Sequence, residues 1–397
     1  MKIVIKIGSS TLTGKAGSAL NVEAVEKLVE VVARLKSEGN EVVIVSSGAI
    51  AAGLAPIGLT SRPKDLASQQ AAASVGQGLL IAKYNEALNK HKLVGTYVVD
   101  NFLERDFKDM KFDVLLGNPP YQGSNDKGTA QPKSHNLWSK FIDKSIDLTK
   151  DDGHVAFVTP DSWMSANSQL LNKFKQHSLN WVDTNVGKYF NVGSSFTAWS
   201  LQKNNNATVC HIDGIPVNIN SLNYLPRDFH NSYPIHDKVV NSAFPKIAVQ
   251  GDTTCHSDYK HKKLSDVCDS VYQYKTHHTN AQTKFSRLKS KDFDKKKIVW
   301  SLSGYFKPFY DPGTIGTTEV CQYIVVNSDK EGTNTLSYLN SKLYRYIIST
   351  GKWSGFLNGR VIEGLPQLPN KKYTDQDLYL LFNLTEEEIK TIEDAIS

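Results

Sequence analysis

Apolar residues near the start of the chain fall in short unbroken runs. Ile3-Val4-Ile5 with Ile7, and Val42-Val43-Ile44-Val45, read as buried parallel strands. Between them, residues 21–38 place Val25, Leu28, Val29, Val32 and Leu35 at helical spacing, and Gly39 suits the stop. An alanine-rich helix is expected over 67–88, with Gly76-Gln77-Gly78 inside its pattern. Val114-Leu115-Leu116 is a third apolar run, and it ends abruptly at Gly117-Asn118-Pro119-Pro120-Tyr121. Each proline fixes its own φ and pushes the preceding residue toward extended backbone, so the strand runs into a stiff turn. A helix from Leu137 toward Leu148 follows, then a turn over 151–154 and strands over 155–158 and 197–201. Past Asn204-Asn205-Asn206 the chain mixes short strand-like runs with aromatics. Residues 374–396 read as two short amphipathic helices, with Thr385 capping the start at Glu386-Glu387-Glu388.

Length and charge narrow the picture. At 397 residues the chain has room for two or three domains, and a net charge of +6 permits a polyanionic partner without requiring one. Cys210, Cys255, Cys268 and Cys321 are scattered, which points to free thiols, a reducing compartment and no metal site. No apolar stretch approaches a membrane span, and Met1-Lys2-Ile3-Val4 enters a strand at once, so no membrane and a cytoplasmic location are expected. Residues 205–300 interleave lysines (Lys260, Lys275, Lys284, Lys291, Lys297 among them) with Tyr272, Tyr274 and Phe285, a mixture suited to double-stranded DNA.

The stiff turn carries the candidate chemistry. Open α/β sheets bind ligands at the carboxyl ends of their strands. There the Asn118 side-chain carbonyl and the Pro119 backbone carbonyl offer two acceptors for an exocyclic NH2 group, such as adenine N6. Tyr121 could stack on the base, worth roughly 1–3 kcal/mol and comparable to the cost of flipping it. Asn118-Pro119-Pro120-Tyr121 after an apolar strand resembles the catalytic motif of the adenine-N6 DNA methyltransferases. The resemblance implies S-adenosylmethionine as cofactor, catalytic roles for Asn118, Pro119, Pro120 and Tyr121, and a second ring, Phe196 before Phe190, holding the flipped base. It also implies that Val98-Val99-Asp100-Asn101-Phe102 forms the strand and loop that meet the cofactor's adenine. Asn101 stands where the family has an acid, or Asp100 serves one residue early; Phe102 follows. Residues 351–369 resemble the family's target-recognition end.

The front of the chain resembles a different family. Ile5-Lys6-Ile7-Gly8-Ser9-Ser10, then Ser46-Ser47-Gly48-Ala49, then residues 69–78, resemble the start of glutamate 5-kinase. That likeness implies phosphate contact by Lys6, Gly8 and Ser9 and a glutamate site at Ser47, Gly48 and Ala49, with ATP as co-substrate. It stops near residues 90–98, before the segments that complete the glutamate site and hold ATP. The expected fold class is α/β: a truncated amino-acid-kinase-like unit over 1–97, then a partial Rossmann-like methyltransferase sheet over 98–204. A mixed α+β target-recognition region over 205–370 and C-terminal helices over 371–397 complete it. The leading expectation is a site-specific adenine-N6 methyltransferase, impaired because a kinase-like segment replaces its cofactor-binding front. The alternatives are a glutamate kinase and a DNA-binding remnant without chemistry.

Overall fold

A computed structural model describes residues 1–8, 12, 20–61, 63–98, 101–121, 137–166, 168–189, 195–256, 264–353 and 359–396. The chain divides into two compact units, one of residues 1–161 with 172–220, the other of 162–171 with 221–397.

The first unit is built on a sheet of strands β1 (Lys2–Ile7), β2 (Glu41–Ser46), β3 (Phe112–Gly117), β4 (Thr149–Pro160), β5 (Ser178–Asp183), β6 (Phe196–Gln202), β7 (Val209–Ile212) and β8 (Ile215–Asn218), in the order β2-β1-β3-β4-β6-β5-β7-β8. The expected α/β class is what the chain adopts. The two segments do not form separate sheets, however. β1 lies between β2 and β3 and is parallel to both, pairing Lys6 with Val45 on one side and Gly117 on the other. β3 is parallel to β4, and β6 returns antiparallel between β4 and β5. The carboxyl ends of β1 to β4 therefore share one edge.

Alternation of side chains explains how the sheet is covered. Ile3 and Ile5 point to the face packed by Val32, Leu28 and Leu35 of helix α1 (Val22–Ser37). Val4 points the other way, into a cluster with Phe112, Leu115, Leu148, Phe102 and Phe107. Asn21 starts α1 by accepting a hydrogen bond from the Ala24 amide. Helix α2 (Ala49–Leu54) and helix α3 (Leu66–Lys90) meet backbone to backbone, because Gly53 and Gly76 carry no side chain at the crossing. Gly76 and Gly78 are thus helical, as their setting suggested. Helix α4 (Leu137–Leu148) buries Trp138, Phe141, Ile142 and Ile146.

Three local expectations are corrected. The run Val42–Val45 does not make a fully buried strand: β2 is an edge strand of the sheet, and Val43 is 41% exposed. Val98 is in no strand: residues 93–98 have no regular structure, and residues 102–104 form a turn. Residues 151–154 do not separate two elements, because β4 runs through them with Asp152 at φ +61°.

The second unit has its own core. Ile298, Trp300, Ile324, Tyr338, Leu343, Tyr344, Ile347, Ile362, Leu378 and Ile392 are buried together. They come from strands over Lys297–Ser301 and Cys321–Val325 and from helices that include Asp329–Leu339, Lys342–Thr350 and Glu386–Ala395. Thr385 caps the last helix as the sequence suggested, and Glu388 makes the cap reciprocal. Among the described residues no helix is long and apolar enough to cross a membrane.

Candidate active site

The strand order fixes where a ligand site belongs. From β1 the chain goes to one side for β2 and to the other for β3, so the strand order reverses between the parallel neighbours β1 and β3. Crevices at the carboxyl ends of such a pair are the usual ligand positions of open α/β sheets. Lys6 and Gly8 leave β1 there, and Asn118 leaves β3 there.

The two tips are joined directly. The Asn118 amide donates to the Lys6 carbonyl at 3.3 Å, and Lys6 Nζ donates to the Asn118 carbonyl. Gly117 makes this possible. A Cβ on Gly117 would sit 2.6 Å from Lys6 Cβ, so its absence lets the lysine lie across the strand end. Gly8 is buried against the same corner, with Asn118 atoms 3.8–3.9 Å from where its Cβ would be. Burial lowers the Lys6 amine to about 8. Among the described residues no carboxylate lies within ion-pair distance of it.

Pro119 is buried, while Asn118, Pro120 and Tyr121 are half-buried. The Tyr121 hydroxyl lies 3.5 Å from the Val158 carbonyl of β4, and burial, opposed by a hydrogen bond with Asn118, pushes the phenol up to about 12. Tyr121 therefore stays neutral through the physiological range. Its ring stacks on buried Phe196, centroids 5.0 Å apart at 29°. A base sandwiched between two rings needs them roughly 7 Å apart, twice an optimal carbon–carbon contact of about 3.5 Å. In this arrangement a base meets the pair on an outer face, or the rings part.

The remaining kinase-like residues lie on neighbouring tips. Ser47 Oγ donates to the Ile7 carbonyl at 3.1 Å, and Ser46 Oγ is 3.0 Å from the Tyr84 hydroxyl. Gly48, at φ +107°, precedes α2, and Ala49 is its first residue. Asn101 Oδ1 accepts from the Leu103 amide at 3.1 Å, and Phe102 stacks on Phe141 with centroids 5.3 Å apart. Lys144 Nζ ties this turn down by donating to the carbonyls of Leu103 and Arg105. Ser9, Asp100 and Phe190 lie outside the described residues, as do the loop over 122–131, most of the Trp353–Leu357 run, and Lys260.

The fit of S-adenosylmethionine can be judged from the donor set. The cofactor presents a cationic sulfonium, an ammonium group and a ribose diol, which favour carboxylate partners, and one carboxylate, the single group that an ammonium such as Lys6 suits. The described residues at the β1 and β2 tips offer an ammonium, two hydroxyls already in hydrogen bonds, and no carboxylate. These residues do not fit the cofactor. Sequence reasoning named Lys6 and Asn118 separately and missed their contact. A glycine ending one strand opposite a lysine ending another was the available signal, but the pairing of β1 with β3 was not visible.

Residues 64–195 match the family model of the Eco57I restriction-modification methylase, starting just ahead of α3. Glutamate 5-kinase of Thermobifida fusca is 52% identical over 98 residues, 25% of this chain and 25% of that protein. Glutamate 5-kinase of Salinispora arenicola is 60% identical over 92 residues, 23% of this chain and 25% of that protein. The chain spans about a quarter of the length of these curated relatives. The Type ISP restriction-modification enzyme LlaBIII bound to DNA aligns with a TM-score of 0.49 at 9% identity, covering 98% of this chain and 37% of that one. The Type IIL enzyme MmeI in complex with DNA gives 0.46 at 11% identity, covering 99% and 69%. The chain thus resembles two families in succession, the front of a glutamate 5-kinase and the methylase of a restriction-modification enzyme.

Proposed function

We propose that the chain carries the base-presenting corner of a site-specific adenine-N6 DNA methyltransferase, with methyl transfer by this polypeptide alone weak or absent. What carries the reading is the Asn118-Pro119-Pro120-Tyr121 corner at the carboxyl end of β3, beside the point where the strand order reverses. The Asn118 side chain and the Pro119 carbonyl accept the two N6 hydrogens of an extruded adenine. That holds the amino group in one orientation and directs its lone pair outward. Tyr121, neutral and backed by Phe196, offers its free face to the ring. The family match over residues 64–195 includes this corner and supports the same chemistry. S-adenosylmethionine is the cofactor of that chemistry, double-stranded DNA is the partner, and residues 205–370 contact the duplex.

Binding tests the reading without requiring turnover. An adenine opposite an abasic site flips at lower cost than a paired one. The wild-type chain should bind such a duplex more tightly than the fully paired duplex, by anisotropy at fixed salt. Asn118→Ala should erase that gain, a loss of about threefold to tenfold for one or two hydrogen bonds. Equal affinity of the wild type for both duplexes would sink the proposal.

A second reading, glutamate phosphorylation, is favoured by one observation: Lys6, Gly8 and Ser47 converge on adjacent strand tips. It requires glutamate-dependent ATP turnover that disappears in Lys6→Ala.

A further inference from the structure

We propose that Tyr305 is a nucleobase-stacking side chain, held out from the second unit to meet an unstacked step of bound DNA. The inference rests on reading residues 205–370 as the region that contacts the duplex. Tyr305 is 82% exposed, yet the backbone that carries it is fixed on both sides. Ahead of it, Gly304 turns at φ +80°, and its carbonyl accepts from Lys352 Nζ at 3.0 Å. The Tyr305 carbonyl accepts from Asn280 Nδ2 at 2.8 Å, at the tip of the hairpin between strands Tyr274–Thr279 and Gln282–Ser286. After it, Phe306 is buried against Trp300, with ring centroids 5.7 Å apart. An exposed ring on an anchored backbone has little ordering left to lose when it binds.

The charge around this tip selects the partner. Lys284, Lys289, Lys295 and Lys296 pair with Asp266, Asp294, Asp292 and Asp329, so much of the basic stretch is neutralised. Lys307 follows Tyr305 closely and Lys352 holds its turn, and neither is in an ion pair among the described residues. The segments that meet here, 271–291, 295–310 and 340–352, contain no acidic residue. A ring flanked by uncompensated cations suits a polyanion whose bases offer flat faces. Side chains of this kind enter a duplex where base steps part. Tyr305 acts here by stacking, and Lys307 by phosphate contact.

The test is anisotropy on the full chain at fixed salt, with a paired duplex and with the same duplex carrying a short bubble of pyrimidine mismatches. The bubble is already unstacked and offers the Asn118 corner no adenine. The wild type should bind it about tenfold more tightly than the paired duplex. Tyr305→Ala should bring that ratio to about one, while Tyr305→Phe, which keeps the ring, should preserve it. Lys307→Gln should weaken both duplexes alike and lower the slope of log affinity against log salt by about one. Circular dichroism confirms that each variant folds. A wild type without the preference, or a preference unchanged in Tyr305→Ala or lost in Tyr305→Phe, overturns this proposal alone. A wild type that binds neither duplex overturns it together with the DNA reading of residues 205–370. The abasic-duplex measurement depends on Asn118, so failure of the adenine site shows there independently.

Discussion

Two lysines in the two units illustrate opposite ways of placing a charge inside protein. Lys297, at the start of a fully buried strand, is 1% exposed. It pairs with Asp311 at 2.6 Å and donates to the carbonyls of Asp292, Phe293 and Lys295 at 3.0–3.1 Å. Lys6, half-buried at the carboxyl end of an interior strand, has the Asn118 carbonyl and, among the described residues, no carboxylate. The first is a closed set, in which each buried donor has an acceptor and the charge is balanced. The second is open among the described residues, at the carboxyl end of a parallel strand. Burial by itself therefore does not tell a balanced lysine from an open one; the partners of the charge do.

Substitutions sharpen that contrast. The largest effect is expected for Lys297→Met, which leaves Asp311 buried and uncompensated. Breaking such a pair costs about 3–5 kcal/mol, read as a lower urea midpoint. A pH titration probes the same interior. His236 bridges the Tyr224 hydroxyl at 3.0 Å and Thr350 Oγ1 at 2.8 Å, and Thr350 Oγ1 itself donates to the Tyr346 carbonyl. That chain is complete with a neutral imidazole, and burial lowers the histidine to about 3. The folded pKa lies below the unfolded value of about 6.5, so the unfolded chain binds the extra proton. Stability is full above pH 6.5 and falls as pH drops toward 3, by up to about 1.4 kcal/mol per pH unit. Urea midpoints of the wild type that fail to fall between pH 6 and 4.5 would contradict a neutral buried histidine.

Smaller effects are expected at the open site. Gly117→Ala drives a methyl group against Lys6 Cβ and the flank of Phe157, an overpacking worth about 1–3 kcal/mol. It should also disturb the abasic-duplex preference, because Lys6 and Asn118 move together. Lys6→Met should change stability least. Its amine is depressed in the folded state, so wild-type stability rises as pH passes from about 8 toward 10.5. The methionine variant should lack that rise and be no less stable than wild type at pH 7. A marked loss at pH 7 would mean that the ammonium holds the fold together, as Lys297 does.

Much of the local structure was legible. The strand at Ile3–Ile7, the helix after Asn21, and the helix after Thr385 follow from apolar spacing and caps, which act over a few residues. The strand expected at Val98 does not form although Leu93, Val94, Tyr97 and Val98 are apolar; Val94 and Val98 stand exposed. The turn that follows is held by Lys144 and Phe141 of α4, about forty residues away in sequence. The exposure of Val43 was likewise invisible, since an edge strand and a central one share the same composition.

The residues alone determined which chemical groups the chain carries: an amide and a proline carbonyl in a rigid turn, an aromatic beside them, and a lysine at the end of an early strand. They determined most of the elements too, because propensity, capping and periodicity are local. Only the tertiary structure decided that β1 and β3 are neighbours, that Gly117 leaves room for Lys6, and that Lys6 therefore bonds Asn118. Strand pairing across more than one hundred residues depends on which faces bury each other, and no window of sequence contains both partners.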